Sequence, residues 1–419
     1  MVDPLIFVRA VHFAATVLTS GTVAFMVLVA GPAAPVMKTA GFAALRRRLV
    51  MLIWIALAVA ILSGAAWLVL LASDILGTSI ADVCLHGGAW PVITDTRFGV
   101  VWSVRLVLAL LLGLLVLWPA TRNLQLAAAA ALIALPALVG HAGATPGTPG
   151  DFHLVSDMVH LLAAGAWLGS LPALVLLLTQ AYRAAQPAWN NFATIATHRF
   201  SILGMFSVGG LLATGIVNSW NLLGGPRDLV ATDYGRLVAL KIALFASMVA
   251  IATVNRFYLT PRLPKRTALR ALRRNSVAEI CLGLCVLLFV GMLGTLPPAA
   301  HVHTRPAGIP PDAAFTHIHD ADAMADVIID PGRAGRADAT IRVLREDFSQ
   351  FPAKEVRLML DPPKAGARAV EQTATERADG IWLVNAIEIS ESGIWTVRVI
   401  VTTRRGKRIV LDAPIVIER

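Results

Sequence analysis

Long apolar runs separated by short polar loops make up the first 300 residues of the chain. Eight of these runs can each form a helix of about 20 residues, the length that crosses a bilayer. The runs lie at roughly 5–30, 49–72, 101–118, 124–141, 154–179, 202–223, 236–258 and 277–298. This pattern predicts eight transmembrane helices.

The eight runs divide into two similar sets of four. The matched positions are His12 and His160, Gly21 and Gly169, Arg48 and Arg199, Gly64 and Gly215, and the motifs T-x-F-G at 96–99 and T-x-Y-G at 232–235. An even number of helices returns the chain to the same side of the membrane, so the copies have the same orientation. We therefore predict two parallel four-helix repeats, residues 1–141 and 149–300.

The pattern changes after a proline-rich linker at 301–312. From 313 to 419, short runs of alternating polar and apolar residues lie between Gly, Pro and Asp turns, which is typical of strands. About seven strands in roughly 105 residues favour a β-sandwich. The predicted fold is an all-α polytopic membrane protein, with a membrane domain at 1–300 and a C-terminal extracytoplasmic β-sandwich domain at 313–419.

Composition and charge agree with a membrane location. The chain is 57% hydrophobic and 15% charged, and its mean hydropathy is +0.70, which excludes a soluble globule for the first 300 residues. Much of the net charge of +10 comes from loops 31–48 and 259–276. The positive-inside rule places these loops in the cytoplasm and both termini outside. No base-reading motif is present, so we do not expect nucleic acid as a partner.

The fifth run carries the most unusual residues. His153, Asp157 and His160 follow at spacings of four and three, so they share one helical face. Ionisable groups inside a bilayer are rare and usually functional. A single histidine there has several roles open to it: metal ligand, proton relay, haem ligand or a hydrogen bond between helices. The twin at His12 and the nearby carboxylate favour a metal ion.

Copper fits these ligands, because imidazole binds first-row metals and Cu(II) heads their affinity order. We predict that His12 and His160 meet around one ion at the axis between the repeats. Asp157 then holds the His160 ring or is itself a ligand. Arg9, which matches Asp157 in the other repeat, either pairs with it or extends towards the membrane surface.

Other residues could bind copper before or after this site, and each group also has a simpler role without copper. Further outer ligands are predicted at His141, His153, His301, His303, His317 and His319. The two H-x-H pairs present both rings on one side of an extended chain, although a solvated tail without metal is the alternative. Cys281 and Cys285 share a helical face and could pass a soft ion inward, or could simply be small packing residues.

Arg105 and Lys241 occupy matched positions in the two repeats. The alternatives are that they extend to the membrane surface, pair with Asp95 or Asp233, bind lipid head groups, or indicate an anionic substrate.

The segments DMVHLLAAGAWLGSL, HRFS, TDYGRLVALKIAL and NRFYLTP resemble the copper-resistance D family of bacterial inner-membrane proteins. The resemblance covers about residues 1–300. It implies a plasma-membrane protein that moves copper inward, often with a periplasmic copper carrier, and marks His12, Asp157 and His160 as intramembrane residues of the family pattern. Because the first apolar run lacks a basic leader, we read it as a membrane span and expect any carrier to be a separate protein.

The sequence therefore predicts a copper permease in the bacterial plasma membrane rather than an enzyme, with the copper ion as its substrate. No P-loop motif is present, so an ion gradient or the membrane potential would drive it. One alternative is an electron-transfer protein with bis-histidine haem, in which Arg105 and Lys241 hold the propionates. Another is a non-transporting copper sensor or assembly factor that works through its β-sandwich.

Overall fold

The structure is a computed structural model. It describes residues 3–36, 39–76, 78–140, 147–223, 225–296, 309–310, 312–319, 323–345, 349–362, 369–404 and 406–418. The chain forms two compact units. The first comprises Met1–Ser73 and Ile80–Ala300 and is helical, and the second comprises Asp74–Ser79 and His301–Arg419 and contains the strands.

Eight helical stretches of the described chain are long and apolar enough to cross a membrane, which confirms the predicted number. In chain order, the first to eighth spans are Pro4–Val36, Gly41–Asp74, Arg97–Leu115, Pro119–Val139, Gly150–Ala184, Pro187–Leu222, Asp233–Arg262 and Arg266–Leu293. We call the first four spans the N-terminal half and the last four the C-terminal half. The parallel arrangement of two repeats stays a prediction.

The α-helices that build these spans and their connections have the following bounds: Pro4–Ala24, Gly31–Ala33, Thr39–Leu76, Ile80–Leu85, Ala89–Asp95, Arg97–Leu115, Arg122–Ala134, Gly147–Trp167, Leu171–Ala184, Pro187–Leu222, Asp228–Ala231, Asp233–Val254 and Arg266–Leu293. Two π-helical segments, Phe25–Ala30 and Asn255–Leu259, continue the first and seventh spans. Short 3₁₀ turns join several of the others.

The third span of each half begins with the same hydrogen bond. Thr96 Oγ1 accepts from Gly99 N at 3.0 Å, and Thr232 Oγ1 accepts from Gly235 N at 3.0 Å. A side chain at either glycine would collide with backbone, since a Cβ would lie 2.2 Å from Val92 O or 1.8 Å from the equivalent carbonyl in the other half. The repeated T-x-[FY]-G motif is therefore a helix N-cap with a close backbone contact.

Replacing the capping threonine of the seventh span, Thr232→Ala, should cost about 1 kcal/mol of stability, because it leaves a helix N–H without its acceptor. Thermal unfolding of the detergent-solubilised protein measures this cost. Thr253→Ala is the control, since Thr253 is exposed and its hydroxyl donates to Val249 O within the same helix. Equal losses in both variants would show that the cap adds no stability of its own.

The first and fifth spans touch at their matched glycines. A Cβ on Gly21 would lie 2.1 Å from the Gly169 carbonyl carbon, and a Cβ on Gly169 would lie 2.0 Å from Val17 O. Ser170 Oγ donates to Gly21 O at 2.8 Å across the same contact. Small residues allow this backbone approach, which is the usual way that helices pack tightly in membranes.

The second unit contains nine strands in the described residues, β1 to β9: Ala314–His319, Met324–Asp330, Gly335–Leu344, Ala353–Asp361, Val370–Thr373, Thr375–Glu376, Trp382–Ile389, Gly393–Thr403 and Arg408–Ile417. They form one sheet in the order β1-β2-β3-β7-β6 and another in the order β5-β4-β8-β9, with antiparallel pairing. The described residues thus hold nine strands where about seven were predicted, and the shortest are β5 and β6.

Both sheets contribute side chains to a single apolar core. Val327 and Ile341 come from the first sheet, and Val399 and the fully buried Trp395 come from the second. Two antiparallel sheets around one core make a β-sandwich, as the alternating sequence pattern predicts.

Candidate functional site

His12 of the first span is buried against the second and third spans. Its Nδ1 lies 2.9 Å from Ala60 O and 3.2 Å from Ser63 Oγ. A carbonyl can only accept, so Nδ1 carries the hydrogen and Nε2 keeps its lone pair. Nε2 is buried, and no described residue offers it a hydrogen bond. His12 therefore presents a nitrogen that can bind a metal ion.

The surroundings of His12 are nevertheless cationic. Arg105, which is only 8% exposed, donates to Leu132 O at 3.3 Å and to Thr16 Oγ1 at 3.2 Å. It lines the same small cavity as His12, about 20 Å³, which has room for about one water molecule. None of the residues that line this cavity is acidic. Arg105 thus bonds inside its half, and its fixed charge disfavours a metal cation; the side chain of Asp95, its predicted partner, lies outside the description.

His160 of the fifth span makes the equivalent contact in the other half. Its Nδ1 lies 2.9 Å from Thr214 Oγ1, whose own hydrogen goes to Gly210 O at 2.6 Å. The threonine oxygen must therefore accept from Nδ1, which again leaves Nε2 with a lone pair. Ser63-Gly64 and Thr214-Gly215 are matched positions, so the same histidine–hydroxyl contact occurs in both halves.

A carboxylate distinguishes the C-terminal half. Asp157, one turn before His160, accepts from Asn218 Nδ2 at 3.1 Å. Its negative charge interacts with the positive charge of Lys241 and with His153. The charge of Lys241 interacts with that of Asp157, whereas Asp233 pairs with Arg236 at 3.3 Å.

The two histidines lie in different surroundings. Each is nine residues before its matched glycine, which is about two and a half turns, so it lies on the helix face opposite the glycine. Because Gly21 and Gly169 face each other, His12 and His160 point into their own halves, as their hydrogen bonds to Ser63 and Thr214 show. A single ion shared between the two rings was the prediction, and these contacts give each ring a separate site.

Arg9 does not make the predicted pair with Asp157. Its Nη1 donates to Gly294 O at 2.7 Å, and its guanidinium carbon lies 5.0 Å from the centre of the Trp67 ring. Gly294 follows the last turn of the eighth span, so Arg9 satisfies a terminal carbonyl there. Arg9 therefore does not pair with Asp157 and instead reaches the end of the eighth span.

Of the remaining histidines predicted as ligands, the structure describes some and leaves others outside the description. His153 is 3% exposed, and its Nδ1 has no hydrogen bond to any described residue. In the β unit, the His317 ring bonds Asp326 across β1 and β2, and both side chains are largely buried. His319 lies in β1, and its side chain falls outside the description. His141, His301 and His303 also lie outside the described residues.

The predicted thiol relay does not line the interior. Cys281 and Cys285 are both exposed on the eighth span, so neither thiol faces the residues buried between the helices. Across the described part of the chain, no three His, Cys, Asp or Glu side chains converge as a metal centre would require. Any copper site there uses at most two such groups with other donors.

Sequence reasoning overlooked two features of the C-terminal half. One is the charge interaction of Lys241 with Asp157. The other is Glu279, which is 2% exposed in the eighth span and accepts a hydrogen bond from Asn255. A single glutamate in the apolar run SVAEICLGL is a visible signal, because such residues are costly in a bilayer.

Eight apolar spans with ionisable side chains buried between them define a polytopic helical membrane protein. Family models match the chain twice: "Copper resistance protein D-like, N-terminal domain" at residues 1–151, and "Copper resistance protein D" at residues 195–293. No solved structure matches the chain.

Three named proteins are similar to this chain in sequence. Inner membrane protein YebZ of Escherichia coli (strain K12) is 34% identical over 230 residues, covering 54% of this chain and 77% of the relative. Copper transport protein CutJ of Bacillus subtilis (strain 168) is 26% identical over 320 residues, 73% of this chain and 56% of the relative. Copper resistance protein D of Pseudomonas syringae pv. tomato is 29% identical over 225 residues, 49% of this chain and 70% of the relative.

The chain belongs to the copper-resistance protein D family. It is therefore a membrane protein connected with copper, as the motifs of the fifth to seventh spans indicate.

Proposed function

We propose that this protein moves copper ions across the bacterial inner membrane, towards the cytoplasm, and holds the ion in its C-terminal half. The observation that carries this proposal is the lone pair of His160 Nε2 one turn from the carboxylate of Asp157, in an apolar span. Imidazole and carboxylate are copper ligands. The named roles of CutJ and of the Pseudomonas relative, copper transport and copper resistance, support copper as the substrate.

The charges in each half favour the C-terminal half as the route. Without an ion, Lys241 balances Asp157; a bound copper ion competes with Lys241 for that carboxylate. The N-terminal half offers Arg105 beside His12 with no acidic residue on the cavity wall. A separate haem alternative would need His12 and His160 on one porphyrin, and their contacts lie in different halves.

The direction and the drive follow from the topology that the charged loops predict. With loops 31–48 and 259–276 in the cytoplasm, both termini and the β-sandwich are outside. The membrane potential then favours inward cation movement by about 2.3 kcal/mol per charge per 100 mV. A periplasmic copper carrier would deliver the ion to the outer ends of the spans.

Copper accumulation in cells that express each variant tests this proposal. His160→Ala and Asp157→Asn should each reduce accumulation about tenfold or more, because each removes a donor at the ion. His198→Ala is the matched control, since His198 is exposed on the sixth span, and it should behave as wild type. Deleting 304–419 should leave accumulation intact.

Wild-type accumulation in His160→Ala at equal expression would rule out transport through this site. Loss of accumulation only when 304–419 is deleted would favour the sensor or assembly role instead. If His12→Ala matches His160→Ala in its loss, the ion path includes both halves.

A further inference from the structure

A second polar cluster lies around a cavity formed by all four spans of the C-terminal half. The cavity has a volume of about 200 Å³. Trp167 of the fifth span lines it, ten residues beyond Asp157 on the same span. Its polar wall contains Glu279 and Ser276 of the eighth span and Thr197 of the sixth. The proposed copper site uses none of these residues.

Glu279 is held in place by amide groups. Its Oε1 accepts from Asn255 Nδ2 at 3.2 Å, and Asn255 Oδ1 accepts from Asn275 Nδ2 at 2.8 Å. Both ends of the Asn255 amide are therefore used to orient the carboxylate. Glu279 has no ion pair among the described residues, and the cation on the cavity wall, Arg256, donates to Ser201 Oγ at 2.7 Å. A buried carboxylate without a cation is costly in an apolar span.

Two buried hydroxyls on the same wall lack partners. Ser276 is 1% exposed and Thr197 is 2% exposed. Neither hydroxyl oxygen has a hydrogen bond to any residue that the structure describes. Ser276 precedes Glu279 by three residues, so both lie on one helical face. Buried hydroxyls without hydrogen bonds are unfavourable, and here they line the same cavity as a carboxylate that also lacks a counter-charge.

The seventh span changes its winding beside this cavity. Its α-helix ends at Val254 and continues as the π-helix Asn255–Leu259 and the 3₁₀ turn Thr260–Arg262. Such π-helical segments are frequent at functional sites. In transporters, irregular stretches of membrane helices supply oxygen atoms to Na⁺ and H⁺ sites.

From these contacts we propose that the cavity binds one monovalent alkali cation such as Na⁺, with oxygen ligands from Glu279, Ser276 and Thr197. A single positive charge neutralises the carboxylate, whereas a divalent ion would leave excess charge next to Arg256 in a poorly solvated site. Carboxylate and hydroxyl oxygens suit hard cations rather than the soft Cu(I) ion. This site is independent of the proposed copper transport.

Equilibrium binding of radioactive sodium to the purified full-length protein in detergent tests the site. Wild type should bind about one ion per chain, and Glu279→Gln should weaken binding at least about tenfold, because the neutral amide cannot balance the ion. Ser276→Ala, which removes one ligand oxygen, should weaken it several-fold. Glu376→Gln is the matched control, since Glu376 is exposed in β6, and it should bind as wild type.

Equal sodium binding by wild type and Glu279→Gln would overturn the proposal, and so would full displacement of sodium by an equal concentration of Ca²⁺ or Mg²⁺. If Glu279→Gln does not fold, Ser276→Ala decides: weaker binding supports the site and unchanged binding overturns it. Copper accumulation, measured separately, reports on the other site and does not enter this test.

Discussion

Lys241→Met should destabilise the protein by about 3 kcal/mol, because it leaves the negative charge of Asp157 without its cation inside the C-terminal half. Methionine keeps most of the length and apolar surface of lysine, so the loss of charge dominates the result. The measurement is thermal or denaturant unfolding of the protein in detergent. Lys354→Met is the control for the substitution itself, since Lys354 is exposed in β4, and it should change stability little.

A double-mutant cycle separates the charge interaction from other effects. Adding Asp157→Asn to Lys241→Met should recover part of the lost stability, because the double variant contains neither charge. Asp157→Asn alone should also destabilise, since it leaves Lys241 uncompensated. If the two single losses simply add in the double variant, the two charges do not stabilise each other.

Gly169→Ala should destabilise the helical unit by about 3 kcal/mol, at the upper end of the range for overpacking. The added methyl group would lie 2.0 Å from Val17 O and 2.8 Å from the Val17 carbonyl carbon. Backbone atoms cannot rotate away as a side chain can, so the first and fifth spans must move apart. Unfolding in detergent measures the loss.

The matched control for the glycine contact is Gly209→Ala in the sixth span. A Cβ there meets no atom within 4 Å, and alanine favours a helix over glycine by up to about 1 kcal/mol. Gly209→Ala should therefore be neutral or stabilising. An equally small effect at Gly169 would mean that the helices adjust at little cost.

The sequence was sufficient to predict the number of spans and the type of each element. Span length in a bilayer is set by its thickness, and strand alternation by the two faces of a sheet, so both patterns can be read directly from hydrophobicity. The strand count was less certain, because strands as short as β5 and β6, of four and two residues, carry too little alternation to be recognised.

Candidate ligands could be named from the sequence, but the directions of their side chains could not. His12 and His160 occupy matched positions in the sequence, and the contact with Ser63 or Thr214 recurs in both halves. Which way the rings point depends on which helix faces meet at the centre. The contact of Gly21 with Gly169 determines which helix faces meet. Matching residues between the two halves of the sequence does not show which helix faces are in contact.

Side-chain partners were the least predictable part. Arg9 bonds a carbonyl at the end of the eighth span, 285 residues away in sequence, rather than the matched Asp157. Such a bond depends on where a distant helix ends, which no local pattern records. Lys241 and Asp157 interact across spans for the same reason.

The distribution of charge within the spans is uneven between the halves. Away from the span ends, the carboxylates are Asp157 and Glu279, and both belong to the C-terminal half; the N-terminal half instead buries the guanidinium of Arg105. In the proposed transport, the buried positive charge of Arg105 would oppose the passage of a copper ion from the C-terminal half into the N-terminal half. The ion would then be confined to one half of the helical unit by charge.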